Sequence, residues 1–170
     1  MNSMLTQDLA QAMKTGMRRL ASGVSIIASR GSDGRKCAMT ASSVTSLSDT
    51  PASLLVCIHK DARINSVIAE SNFFSVNVLH ESQQQISQVC ASSEDSDKRF
   101  SVGDWHTAPE SGLPYLADAE SVFICSLSAK HVYGTHNIYI GDICGVQVTD
   151  REAAPLLYLD GGYCGVKKSV

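Results

Sequence analysis

Residues 121–133 read Ser-Val-Phe-Ile-Cys-Ser-Leu-Ser-Ala-Lys-His-Val-Tyr, residues 134–136 Gly-Thr-His, and residues 137–148 Asn-Ile-Tyr-Ile-Gly-Asp-Ile-Cys-Gly-Val-Gln-Val. The two flanks are rich in β-branched and aromatic residues, and the glycine between them can reverse the chain. The pattern predicts two long strands broken at Gly134-Thr135-His136. Outward from this pair, residues 24–29, 53–58 and 73–79 are compact apolar segments, each long enough for a strand. Gly31-Ser32-Asp33-Gly34 reads as a hairpin turn in which the Asp-Gly pair supplies positive φ angles. A last strand is expected over 155–159, ending near Gly161-Gly162.

Helical spacing is confined to short stretches. Leu5, Leu9, Met13, Met17 and Leu20 form one stripe over residues 5–21, with Gly23 placed to end the helix. Shorter helices are expected over 62–70, on Ile64, Val67 and Ile68, and over 81–90, on Ile86, Val89 and Cys90. Residues 92–97 are polar and read as a surface loop. Several strands without regular βαβ alternation disfavour a doubly wound sheet. The expectation is one mainly β domain over residues 1–170, a closed antiparallel β-barrel with peripheral helices.

A net charge of −3 over 170 residues gives no general attraction to nucleic acid. No apolar run approaches the roughly 20 residues of a membrane helix, and residues 1–14 lack the order of a secretory signal. A cytoplasmic protein without a membrane or nucleic-acid partner is expected. Six cysteines without a CxxC pair read as reduced core thiols. The histidines show no metal spacing, and GxSxG and GxGxxG motifs are absent, so a serine hydrolase and a Rossmann dehydrogenase are disfavoured.

Three polar islands are candidates for chemistry. Residues 39–51, Met-Thr-Ala-Ser-Ser-Val-Thr-Ser-Leu-Ser-Asp-Thr-Pro, crowd hydroxyls between two strands. They either satisfy their own backbone or hold a phosphate through hydroxyl and N–H groups. His59-Lys60-Asp61-Ala62-Arg63 puts cations at a strand end opening a helix, for a phosphate or simply for solvent. His136 lies at the bend between the two long strands, as a turn residue or as a nicotinamide contact.

These segments, in order, resemble the flavin reductase-like family, the reductase partners of two-component flavin monooxygenases. The likeness is carried by Leu20-Ala21-Ser22-Gly23-Val24, residues 37–51, Val76-Asn77-Val78-Leu79, Lys98-Arg99-Phe100, Tyr133-Gly134-Thr135-His136 and Leu156-Leu157-Tyr158, across roughly residues 10–165. Within the family it is most similar to the reductase components of 4-hydroxyphenylacetate 3-monooxygenase. Ser42, Asp160 and Gly162 depart from what many relatives carry. The resemblance implies a split β-barrel of the FMN-binding, Greek-key type, forming a homodimer with flavin near the interface. It implies reduction of FMN or FAD by NADH or NADPH, and delivery of reduced flavin to a separate monooxygenase, an aromatic hydroxylase. By motif matching, Thr40, Ala41, Ser42 and Ser43 would line the flavin, with Cys57, Ile58, His59 and Lys60 opposite. Lys60 or Arg63 would lie near phosphate, with Ile64 and Ala91 approaching the flavin. His136 and Tyr163 would lie near the nicotinamide. Hydride transfer between two cofactors needs no protein nucleophile, so no catalytic residue is expected. Two rival readings are a split-barrel FMN oxidase of another small molecule and a noncatalytic flavin-binding barrel.

Overall fold

The computed structural model describes residues 8–92 and 96–167. Leu5 and part of the expected 92–97 loop lie outside the described residues. The long pair forms as expected: β9 (Ser121–Tyr133) and β10 (His136–Val148) are joined by a two-residue turn with Gly134 at φ 52°. They belong to a seven-stranded antiparallel sheet in the order β3-β2-β6-β9-β10-β5-β4. Its other members are β2 (Ser25–Arg30), β3 (Lys36–Ala41), β4 (Val44–Asp49), β5 (Ala52–His59) and β6 (Phe73–Val78). A three-stranded sheet holds β1 (Ser22–Gly23), β11 (Leu157–Leu159) and β12 (Gly162–Cys164). β7 (Trp105–Thr107) and β8 (Pro114–Leu116) pair separately.

The expected closed barrel does not form. The seven-stranded sheet ends at β3 on one edge and β4 on the other, and no ladder joins them. The reason lies in β4, whose polar residues Thr45, Ser46, Ser48 and Asp49 leave it little apolar surface to bury beyond Val44, and residues 45–49 are all exposed. A bulge between Ser46 and Ser48 irregularises its single pairing, with β5. The fold is therefore mixed α/β: a large open antiparallel sheet with peripheral helices, α1 (Leu9–Met17), α2 (Ile64–Ser71) and α3 (Gln84–Ala91).

The sheet is covered on both faces, which explains why β2 is buried from Ser25 to Ser29 instead of alternating. Ile27 packs with Ile64, Val67 and Ile68 of α2, and with Phe74, Val76 and Tyr139. Its neighbours Ile26 and Ala28 face the other way, onto Ile86 and Cys90 of α3, Leu116 of β8 and Leu156. Asn77 is fully buried at the sheet's centre. Its amide donates to the Ile26 carbonyl at 3.0 Å, and its Oδ1 accepts from Leu116 N at 2.8 Å. The Val76-Asn77-Val78-Leu79 signature thus ties β8 across the sheet.

Other expectations are adjusted locally. The first helix is shorter than 5–21, and none of its residues is buried. Leu9, Met13, Met17 and Leu20 remain 70%, 58%, 55% and 59% exposed, so the stripe does not face this chain's core. In the 31–34 turn only Gly34 has positive φ, and Asp33 instead accepts a hydrogen bond from Arg35 N. The 81–90 helix begins as a 3₁₀ turn capped by His80. No described helix is long and apolar enough to cross a membrane.

Candidate functional site

Residues 39–51, expected as one hydroxyl-rich loop, are mostly strand; only Ser42 and Ser43 lie between β3 and β4. The expected site residues are consequently distributed over three places.

The first is a cavity of about 330 Å³ wrapped around the free edge of β3. It takes Thr40 from β3, Arg63 and Ile64 from the start of α2, and Ala91 from the end of α3. This is the size of a small-ligand site. Thr40 is committed by its hydroxyl, which donates to the Ser87 carbonyl at 2.6 Å. Arg99, quoted within a motif but assigned no role, also lines the cavity. Its guanidinium donates to the carbonyls of Ala38, on β3, and of Ser92, at 2.5 and 2.6 Å. Trp105 Nε1 donates to the Arg99 carbonyl at 3.2 Å and holds the segment in place. Arg99 Nε is buried without a partner. Asp61 is the one carboxylate among the cavity's described lining, against two guanidiniums. Arg99 and Arg63 both pull the Cys37 thiol pKa down, although burial outweighs them and leaves it raised. Their fields therefore reach the cavity wall. No side chain caps the N-terminus of α2, which adds partial positive charge. The arrangement suits an anionic group, and a flavin phosphate meets that requirement.

The second place is the tip shared by β5 and the β9–β10 hairpin. His136 lies opposite His59 in the ladder, and their rings meet edge to face with centroids 5.1 Å apart. Lys60 N donates to the Thr135 carbonyl at 3.0 Å, and Thr135 Oγ1 lies 2.9 Å from His136 Nδ1. Ser43 closes this end: its hydroxyl donates to the Cys57 carbonyl at 2.9 Å, and Cys57 N donates back to Ser43 O at 3.3 Å. Cys57 is half-buried, and Ile58 is wholly inside the core. His59, Lys60 and His136 are exposed. Ala41 is buried at the β3 terminus, and Ser42 is exposed beside a groove of about 470 Å³ under α1.

The third place holds Tyr163. Its hydroxyl lies 2.9 Å from Ser87 Oγ, and its ring packs edge to face on Tyr158 at 5.3 Å. Through Ser87 it shares a helix residue with Thr40, not with His136. Its spacing near Gly161-Gly162 carried no signal of this.

The cysteines behave as core thiols at Cys37, Cys90 and Cys125, whereas Cys144 is exposed. Burial pushes Cys90 up to about 11 and Cys125 to about 12. No group of three or more metal-ligating side chains occurs among the described residues.

Comparison with known proteins assigns the family. The flavin reductase like domain matches residues 17–167. The reductase component of the FADH2-dependent resorcinol hydroxylase of Rhizobium sp. (strain MTP-10005) is 32% identical over 165 residues, 96% of this chain and 91% of that protein. The FMN reductase (NADH) RutF 1 of Methylorubrum extorquens (strain PA1) is 35% identical over 156 residues, 91% of this chain and 75% of that protein. Among solved structures, BorF, the flavin reductase component of a bacterial two-component tryptophan halogenase, is similar with a TM-score of 0.85 at 28% identity. The match covers 94% of this chain and 99% of that one. The chain belongs to the flavin reductase-like family, and is an NAD(P)H-dependent flavin reductase acting on FMN or FAD.

Proposed function

We propose that this enzyme supplies reduced flavin to a separate flavin-dependent oxygenase or halogenase. Reductase components of a hydroxylase and of a halogenase are both among its relatives, which supports that partner class. An aromatic hydroxylase is the partner we favour, because the resorcinol hydroxylase reductase matches along nearly the whole chain. A 4-hydroxyphenylacetate 3-monooxygenase is one such hydroxylase. The protein works in the cytoplasm as a single domain over 1–170.

The observation that carries the site assignment is the cationic cavity at the β3 edge. Arg63 and Arg99 bind the flavin phosphate there, with Lys60 nearby, and Ile64 and Ala91 flank the ribityl chain. Thr40, Ala41, Ser42 and Ser43 line the flavin from the end of β3, with Cys57, Ile58 and His59 of β5 on the opposite side. Bound flavin supplies the hydride-accepting ring. His136 orients the nicotinamide, with Tyr163 contributing from its own strand. A second copy of the chain covers the exposed α1 stripe; Val132 and Tyr133 of the hairpin, 63% and 81% exposed, are further apolar side chains open to a partner. The active form is accordingly a homodimer.

Oxidation of NADH and NADPH by the purified protein, with FMN, FAD or riboflavin added, tests the activity. Flavin-dependent oxidation of at least one nucleotide is expected. Flavin binding without turnover would indicate a noncatalytic binder, and slow nucleotide use with tightly retained flavin an oxidase of another molecule.

A further inference from the structure

We propose that Asn65 is a positioning residue for nucleotide use, clamping residues 59–63 to β10 and so setting the His59–His136 ring pair. The inference rests on reading His136 as the nicotinamide contact. Asn65 lies in the first turn of α2, and its side-chain amide is engaged on both sides. The nitrogen donates to three carbonyls of one segment: His59 at 2.9 Å, Lys60 at 3.0 Å and Ala62 at 2.7 Å. The oxygen accepts from Asn137 Nδ2 at 3.0 Å and from the Tyr139 hydroxyl at 2.7 Å. Both partners are buried in β10, Asn137 at 4% exposure and Tyr139 at 0%.

Three acceptors on one side and two donors on the other fix the amide's orientation; the two N–H groups of the amide serve the three carbonyls with one bond shared, and its oxygen takes both donors. The clamp lies beside the residues it would tune. Asn137 directly follows His136. The clamped segment begins at His59, whose Nδ1 accepts from Asp61 N at 3.3 Å. Lys60 N reaches the Thr135 carbonyl, and Thr135 touches the His136 ring. A shift of residues 59–63 therefore moves both rings of the pair, which are themselves exposed and lightly held.

Asn65→Asp is the informative variant. It keeps the shape and can still accept from Asn137 and Tyr139, but it turns an oxygen toward three carbonyls. In the full-length protein with FMN, we expect the KM for the preferred nicotinamide nucleotide to rise about five- to tenfold. The kcat should stay within about twofold. Tyr139→Phe, which removes one of the five hydrogen bonds, should shift KM less. Independently of activity, the NMR signals of the His59 and His136 rings should move, while His106, held by Asp104, stays unchanged. If Asn65→Asp does not fold, Asn65→Ala serves as the same test. Unchanged KM in a folded variant overturns the proposal, and so do unmoved His59 and His136 signals. If the wild type oxidises neither nucleotide with any flavin, the reading of His136 fails, while the ring signals still decide whether the clamp exists.

Discussion

The cavity at the β3 edge and the tip of the β9–β10 hairpin differ in how their polar groups are held. In the cavity Arg99 is fixed by two carbonyl acceptors and by Trp105 behind it, and Thr40 by Ser87. At the tip, His59 and His136 are exposed rings that touch each other and lie on a turn open to solvent. Preorganised charge binds without further ordering cost; exposed rings must be ordered as the ligand arrives. The difference is what the proposed division of labour requires, with the cavity gripping the flavin and the tip receiving a nucleotide that comes and goes.

The largest effect is expected at Arg99. Arg99→Ala removes the charge-assisted partner proposed for the flavin phosphate and the tie between β3 and Ser92. FMN affinity should fall about ten- to hundredfold, since such bonds contribute roughly 1.5–3 kcal/mol. Fluorescence titration of FMN checks it, and unchanged affinity would dissolve the distinction between the two regions. Next is Gly141, in β10 between the tip and the core. A Cβ there would stand 2.5 Å from Phe74 and 2.8 Å from Cys125. Gly141→Ala should cost about 1–3 kcal/mol in denaturant unfolding, by overpacking the base of the hairpin. A neutral result would mean that this base is softer than its packing indicates.

His136→Ala should raise the nucleotide KM about tenfold with kcat within about threefold, the signature of lost positioning rather than lost chemistry. Steady-state kinetics decides, and loss of turnover with nucleotide binding intact would contradict the division. The smallest effect concerns the thiols. Burial raises the folded-state values of Cys90 and Cys125 to about 11 and about 12, above the ordinary thiol value of 9.0. The neutral thiol is thus favoured in the folded state, and above pH 9 the unfolded chain loses protons first. Stability from these groups is complete below pH 9 and is lost as pH rises toward 11 and 12. Each should cost on the order of 1 kcal/mol or less by pH 9.5, read from unfolding midpoints. A rise in stability over that range would contradict the burial argument.

The long hairpin, the short helices and the buried strands were legible because hydrophobic period and turn residues act locally. Tyr133-Gly134-Thr135-His136 marked its own reversal correctly. The open sheet was not legible, because closure depends on what β4 presents to β3. A strand of Val-Thr-Ser-Leu-Ser-Asp carries too little apolar signal to be recognised as one at all. Residues 39–51 read as a loop for the same reason. At the site, His59 and His136 were singled out separately, and only the ladder shows them opposed. The Lys98-Arg99-Phe100 segment carries Arg99 without a legible role, because nothing local reveals that it reaches back to Ala38. Asn65 gave no signal, since its five partners come from two segments more than 70 residues apart.

The claim that the β3-edge cavity holds a flavin phosphate is tested most directly by comparing FMN with riboflavin, which lacks the phosphate, on wild type and Arg63→Ala. The account predicts that FMN affinity falls about tenfold in the variant while riboflavin affinity stays unchanged. Equal losses for both ligands, or none for either, would contradict it.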